Sequence, residues 1–220
     1  MTGQHPDEVR FEHKRFALTA VDGSGLFDPV QHGIEPRWLG TGCYHGFICH
    51  YSVVRRRLVL RQLVLGSDGE PAPIGGVRPV TSDYGWQYKK LTMPVAFTGR
   101  LLIGNDFVGP GVRMGFVPAW LFADVRELTF QDGVLHTAAD RSAELAAVRE
   151  VLDELGTGPD LDEDAGDWIA RTFSLSYDYS WPGRERPDDQ WHELSAAVLN
   201  RRSTPMPAVA AGDGPPDRKS

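Results

Sequence analysis

Residues 43–65 constrain the fold more than any other stretch. From Cys43 to Val54 the chain alternates, with Cys43, His45, Phe47, Cys49 and Tyr51 on one side and Tyr44, Gly46, Ile48, His50 and Ser52 on the other. A period of two is that of an extended strand whose side chains point to opposite faces. Arg55-Arg56 then make a short polar link, and Arg57–Leu65 continues with Leu58, Val59, Leu60, Leu63, Val64 and Leu65. Two such runs joined so tightly predict a β-hairpin, which Gly66-Ser67-Asp68-Gly69 ends.

Turn residues are plentiful: the chain has 24 Gly and 16 Pro in 220 residues. Phe16–Val21 predicts a short strand, and Leu26 to Gly42, with Pro29, Gly33, Pro36 and Gly40, reads as a long loop anchored by Trp38. Gly76–Val80 predicts a brief strand. Leu91–Ile103 contains two more, with Pro94 and Gly99 favouring an edge or bulge. Asn105–Phe116 is Gly-rich and irregular. Glu127–Phe130 and Val134–Thr137 flank Asp132-Gly133, the dipeptide best suited to a tight hairpin turn. Asp140 is placed to cap a helix carrying Leu145, Val148, Leu152 and Leu155 on one stripe, with Gly156 as its stop. Trp168–Phe173 predicts a second helix. A third, capped by Asp188 or Asp189, is expected to run to Asn200 with Trp191, Leu194, Val198 and Leu199 inward.

Strands first and helices afterwards imply an α+β fold: an antiparallel sheet or half-barrel with two or three C-terminal helices. The expected organisation is a flexible N-terminus over 1–14 and a single domain over 15–202, divided into a sheet at 15–138 and a helical part at 140–202. A disordered tail of Pro, Ala, Gly and charge is expected over 203–220.

The formal net charge of −7 repels phosphate backbones, so nucleic acid is not an expected partner, whereas a basic protein would be attracted. The N-terminal residues lack an apolar signal region and no uncharged run of about 18 apolar residues occurs, so a cytoplasmic protein with no membrane association is expected. Cys43 and Cys49, the only cysteines, would lie roughly 20 Å apart at ~3.3 Å per residue of strand, too far for a disulfide.

Cys43, His45, Cys49 and His50 are the residues most suggestive of chemistry, because thiolate and imidazole are the ligands zinc prefers and can also form a nucleophilic pair. Strand spacing keeps Cys43 and Cys49 from sharing one ion, and no C-x-x-C motif accompanies them. His45, Cys49 and His50 remain as metal or catalytic candidates, set against a reading as core and strand-edge residues. The acidic run Asp160–Asp167 has Ala165 and Arg171 where a calcium loop needs Gly and Glu, and suits a helix N-terminus better. Gly104–Gly111 lacks the Gly-Lys-Ser/Thr ending of a phosphate loop, and Pro110 removes a donor. Gly23-Ser24-Gly25 lacks the pattern of a nucleophile elbow, and His192-Glu193 has no second His at zinc-protease spacing. Catalytic residues and a cofactor are therefore not assigned. Tyr177, Tyr179 and Trp181, interleaved with polar residues, are candidates for partner binding; the competing reading is a clamp between the C-terminal helices and the sheet.

Three segments together resemble a group of small bacterial β-rich proteins with no assigned activity. They are Trp38…Tyr44-His45-Gly46-Phe47…Tyr51-Ser52-Val53 with Leu58-Val59-Leu60, then Phe97-Thr98-Gly99-Arg100-Leu101-Leu102-Ile103, then Glu127-Leu128-Thr129-Phe130-Gln131-Asp132-Gly133-Val134-Leu135. The resemblance spans residues 38–155. It implies a compact β-rich fold and brings no catalytic residue.

The leading functional expectation is a non-enzymatic binding protein, such as an immunity- or antitoxin-like partner of a basic protein. The alternative is a small enzyme or metal-binding protein working from a cleft near His45, Cys49 and His50. A ligand-binding half-barrel with an apolar pocket is a third option.

Overall fold

The computed structural model describes residues 3–109, 111, 114–155 and 164–183. They contain ten strands, β1 (Glu8–Phe11), β2 (Lys14–Ser24), β3 (Phe47–Val54), β4 (Arg57–Leu65), β5 (Val80–Ser82), β6 (Gly85–Tyr88), β7 (Met93–Pro94), β8 (Thr98–Phe107), β9 (Phe122–Gln131) and β10 (Val134–Asp140). Helices α1 (Ser142–Leu155), α2 (Ala165–Thr172) and α3 (Tyr177–Ser180) follow them. The fold is α+β, with the strands preceding the helices.

The central hairpin forms as the alternation requires. β3 and β4 pair from Phe47↔Leu65 to Val54↔Arg57, and Arg55 and Arg56 both take left-handed backbone angles (φ 48° and 63°). That geometry matches the right-handed twist of the flanking strands, and non-glycine residues adopt it at a cost of roughly 1–2 kcal/mol each. Asp132 and Gly133 form the corresponding turn between β9 and β10. The leucines of β4 change phase midway: Leu58 and Leu60 point inward, then Leu63 and Leu65, all fully buried. A register shift opposite His50 and Tyr51 lets both pairs face the core.

The strand order is β10-β9-β8-β2-β1-β3-β4-β6-β5, with β7 attached to β4. β4 also pairs with β10 at Arg57↔Val134, and main-chain bonds from Leu58 N–H to Gly133 O (2.8 Å) and from Leu135 N–H to Arg56 O (2.7 Å) secure the joint. The expected half-barrel therefore curls far enough for its two sides to meet. The interior is filled by side chains, among them Phe97, Phe130, Tyr51 and the four β4 leucines.

Four expectations need correction. The N-terminus is not flexible throughout: β1 lies between β2 and β3 and buries Val9 and Phe11. Its pairing with β3 is parallel, so the sheet is mixed rather than antiparallel. The run Glu8–Phe11 is too short for its alternation to stand out, but two neighbouring strands satisfy both of its edges. β8, with Gly99 in it, is central; Gly99 marks a close approach, since a Cβ there would lie 2.1 Å from Asp22 O. Trp38 does not anchor its loop; Phe27 and Ile34 do.

Asp140 accepts the Ser142 N–H (3.0 Å) at the start of α1, whose Leu145 and Val148 are buried against β9 and the Ala119–Leu121 turn. Asp164, from the acidic run, caps α2 by accepting the Gly166 N–H at 2.8 Å. No helix among the described residues is long and apolar enough to cross a membrane. The Gly156 stop, the helix expected to end at Asn200 and the tail over 203–220 lie outside the described residues.

Candidate functional site

The structure separates the three residues expected to form a cleft. His45 lies in a turn before β3, its ring edge-on to Phe47 at 4.7 Å and near Phe116. Cys49 faces the core with no exposed surface. His50, next along β3, faces outward, and its Nδ1 lies 3.0 Å from Glu8 Oε2 on the paired strand. Alternation along a strand sends Cys49 and His50 to opposite faces. Burial raises the pKa of both the Cys49 and Cys43 thiols, and lowers that of His45. A thiol so shifted carries little of the thiolate that nucleophiles and metal ligands require. Among the described residues, no group of three or more His, Cys, Asp or Glu side chains is arranged to hold a metal ion.

Cys43 is not part of the strand. The chain turns at Gly46 (φ 83°), and the Cys43 thiol donates to Phe47 O at 3.2 Å. The Cys43 thiol thus lies beside Phe47, two strand residues from Cys49 rather than six, which corrects the expectation of a 20 Å separation. Both are free and buried.

Tyr177, Tyr179 and Trp181 act as a clamp. Ser180 Oγ donates to Thr19 O (2.6 Å) and accepts the Ala119 N–H (3.2 Å), fixing α3 to β2 and to the turn before β9. Tyr179 donates its hydroxyl proton to Phe116 O at 3.3 Å. Arg100 lies over the Tyr177 ring and Arg141 over that of Trp181, which is only 8% exposed. Trp181 is therefore not an exposed partner-binding aromatic: its ring is buried, with Arg141 over it.

Other aromatic residues are left uncovered. Trp38 is 63% exposed and Tyr84 74%. Trp38 belongs to a loop laid over two glycines: Arg37 N–H donates to Gly66 O (2.9 Å), and a Cβ on Gly66 or Gly46 would stand 2.1 or 2.5 Å from Arg37 O. Backbone can approach this closely only where no side chain intervenes. Leu39 packs over Gly85, the residue after Tyr84, so both aromatics flank one contact. Tyr84 occupies the turn between β5 and β6, where Ser82 Oγ accepts the Tyr84 N–H (3.4 Å) and donates to Gly85 O (3.0 Å). β5 ends the strand order and Val80 on it is exposed.

The segments that build this edge carry more carboxylates than cations, with Lys89 and Lys90 following directly after β6. Asp28, Glu35, Asp68, Glu70 and Asp83 lie within residues 28–40 and 66–86, against only Arg37 and Arg78. Arg37 Nε donates to Asp68 Oδ2 at 2.8 Å and ties the two loops together. Glu35, Asp68 and Glu70 line a shallow groove of about 400 Å³ beside it. The sequence signal for this surface was an aromatic set among Pro and Gly without strand alternation, which gives it no inward face to occupy.

No protein-family model, no curated protein and no solved structure matches the chain.

Proposed function

We propose that this is a non-enzymatic binding protein whose Trp38–Tyr84 edge docks a basic protein, as an immunity protein or antitoxin would. One observation carries the reading: Trp38 and Tyr84 are both largely exposed, and the residues that follow them, Leu39 and Gly85, lie against one another. Exposed Trp and Tyr supply large contact area at low entropic cost and dominate interface hot spots. The carboxylates would steer a cationic partner and set its orientation more than they would add affinity. The net charge of −7 acts in the same direction.

The test compares wild type with a Trp38→Ser/Tyr84→Ser double variant as bait in native lysate, at low and at high salt. The expected result is a basic protein retained at low salt by wild type and reduced roughly tenfold or more by the double variant, as for loss of a hot spot. Equal retention by both baits, or a captured protein of acidic character, would count decisively against this reading.

A further inference from the structure

The chain has 30 Asp and Glu against 23 Lys and Arg, yet one face of its sheet gathers arginines without partners. Arg37, Arg78, Arg100, Arg126 and Arg141 each pair with a carboxylate. Arg10, Arg15 and Arg61, on β1, β2 and β4, form no ion pair among the described residues. All three are exposed, while their neighbours Val9, Phe16 and Leu60 fill the core, so the arginines leave from the outer face.

Arg10 and Arg15 stand directly opposite one another. β1 and β2 are joined by Glu12 and His13, both with left-handed backbone angles (φ 47° and 68°), a two-residue turn that suits the strand twist. Hydrogen-bonded pairs alternate from Phe11 and Lys14 onward, and the bond from Leu18 N–H to Asp7 O (2.8 Å) falls on that alternation. Arg10 and Arg15 are therefore a non-hydrogen-bonded pair, the kind whose side chains approach most closely. Like charges placed so destabilise a sheet. On its other edge Arg10 pairs with Ser52 of β3, whose hydroxyl makes no hydrogen bond among the described residues. Arg61 is the extra residue of the β4 register shift, between the partners of His50 and Tyr51. Glu8 and Asp106 share a shallow groove with Arg15, but Glu8 is engaged by His50 Nδ1 at 3.0 Å and neither closes an ion pair with an arginine.

We propose that the Arg10–Arg15 pair is a phosphate-binding site on the outer face of β1, β2 and β3. An anion seated between the two guanidinium groups replaces their mutual repulsion with attraction to a shared ligand. Each guanidinium presents a planar fork that suits phosphate and carboxylate oxygens. A carboxylate has only two oxygens and is filled by one fork. A phosphate group, with its three strong acceptor oxygens, takes both forks and the Ser52 hydroxyl. Arg61 adds to the positive potential around the site. These strands are distinct from the Trp38–Tyr84 edge, and the site stands independently of the function proposed for that edge.

The test titrates inorganic phosphate into the full chain at constant ionic strength and follows backbone amide shifts by NMR. A nucleoside monophosphate and a single-stranded oligonucleotide form two further arms. The expected result is saturable shifts centred on residues 10, 15 and 52 with both phosphate probes; tighter binding of the monophosphate would assign the ligand as an ester, and equal binding as the free ion. Arg10→Gln and Arg15→Gln should each weaken binding roughly tenfold or more, as for loss of a hydrogen-bonded charge. Arg78→Gln, which removes the same charge from the loop before β5, should leave binding unchanged. No saturable shift with either phosphate probe, or equal weakening in all three variants, overturns the proposal. Binding of the oligonucleotide alone also overturns it and marks a nucleic-acid surface instead. Urea denaturation gives a second readout. Without phosphate, Arg10→Gln and Arg15→Gln should resist urea at least as well as wild type, and phosphate should raise the wild-type midpoint more than theirs. Equal gains, or a marked loss of resistance in the variants without phosphate, would make these arginines structural and overturn the site.

Discussion

Trp181 and Trp38 are the same side chain in opposite settings. Trp181 follows a four-residue helix pinned at Ser180 to β2, and Arg141 lies over its ring. Trp38 stands on a loop pinned just as firmly, by Arg37 to Gly66 and Asp68, yet it is 63% exposed. Holding the backbone in place is thus separate from burying the side chain. At the C-terminal clamp, local hydrogen bonds bring the aromatic to the sheet. At the 37–39 loop, the glycines bring the backbone to the sheet and leave the aromatic outside. The first arrangement serves stability and the second is free to serve binding.

Substitutions should separate the two regions, the largest effect coming first. Trp181→Ala should destabilise the fold by about 3–5 kcal/mol in urea denaturation, as truncation of a buried Trp does. A loss below about 1 kcal/mol, that of an ordinary surface substitution, would remove the clamp from the comparison. Ser180→Ala should cost about 2–3 kcal/mol, because it leaves the Ala119 N–H and the Thr19 carbonyl without their partner. Gly66→Ala should cost about 1–3 kcal/mol and lift the Trp38 loop, since the new methyl meets backbone rather than a yielding side chain. The loop shift is read from the amide chemical shifts of residues 37–39. Trp38→Ala should change stability by no more than about 0.5 kcal/mol while reducing retention of the proposed basic partner. A large loss of stability there would make Trp38 a structural residue after all.

Much of the local architecture was legible. The Arg55-Arg56 and Asp132-Gly133 turns, the β3–β4 hairpin and the start of α1 at Asp140 all depend on neighbours within a few residues. The change of phase from Leu58 and Leu60 to Leu63 and Leu65 was not read from the sequence and emerges only with the register shift opposite His50 and Tyr51. The candidate surface was much less legible. Trp38 reads as an anchor because large aromatics in loops often are, and Tyr84 carries no pattern at all. The expected cleft of His45, Cys49 and His50 fails on one local rule, the opposite faces of adjacent strand residues, and on the turn at Gly46.

The amino-acid sequence by itself determined which stretches are extended, where several of them turn, and that helices follow the strands. These are properties of period and of backbone preference over short spans. Only the tertiary structure decided that residues 8–11 enter the sheet between β2 and β3, that β4 meets β10, and that Trp181 is covered while Trp38 is not. Period two tells a strand which face is apolar but not which edge will be its neighbour. Whether an aromatic is buried depends on what distant segment arrives beside it.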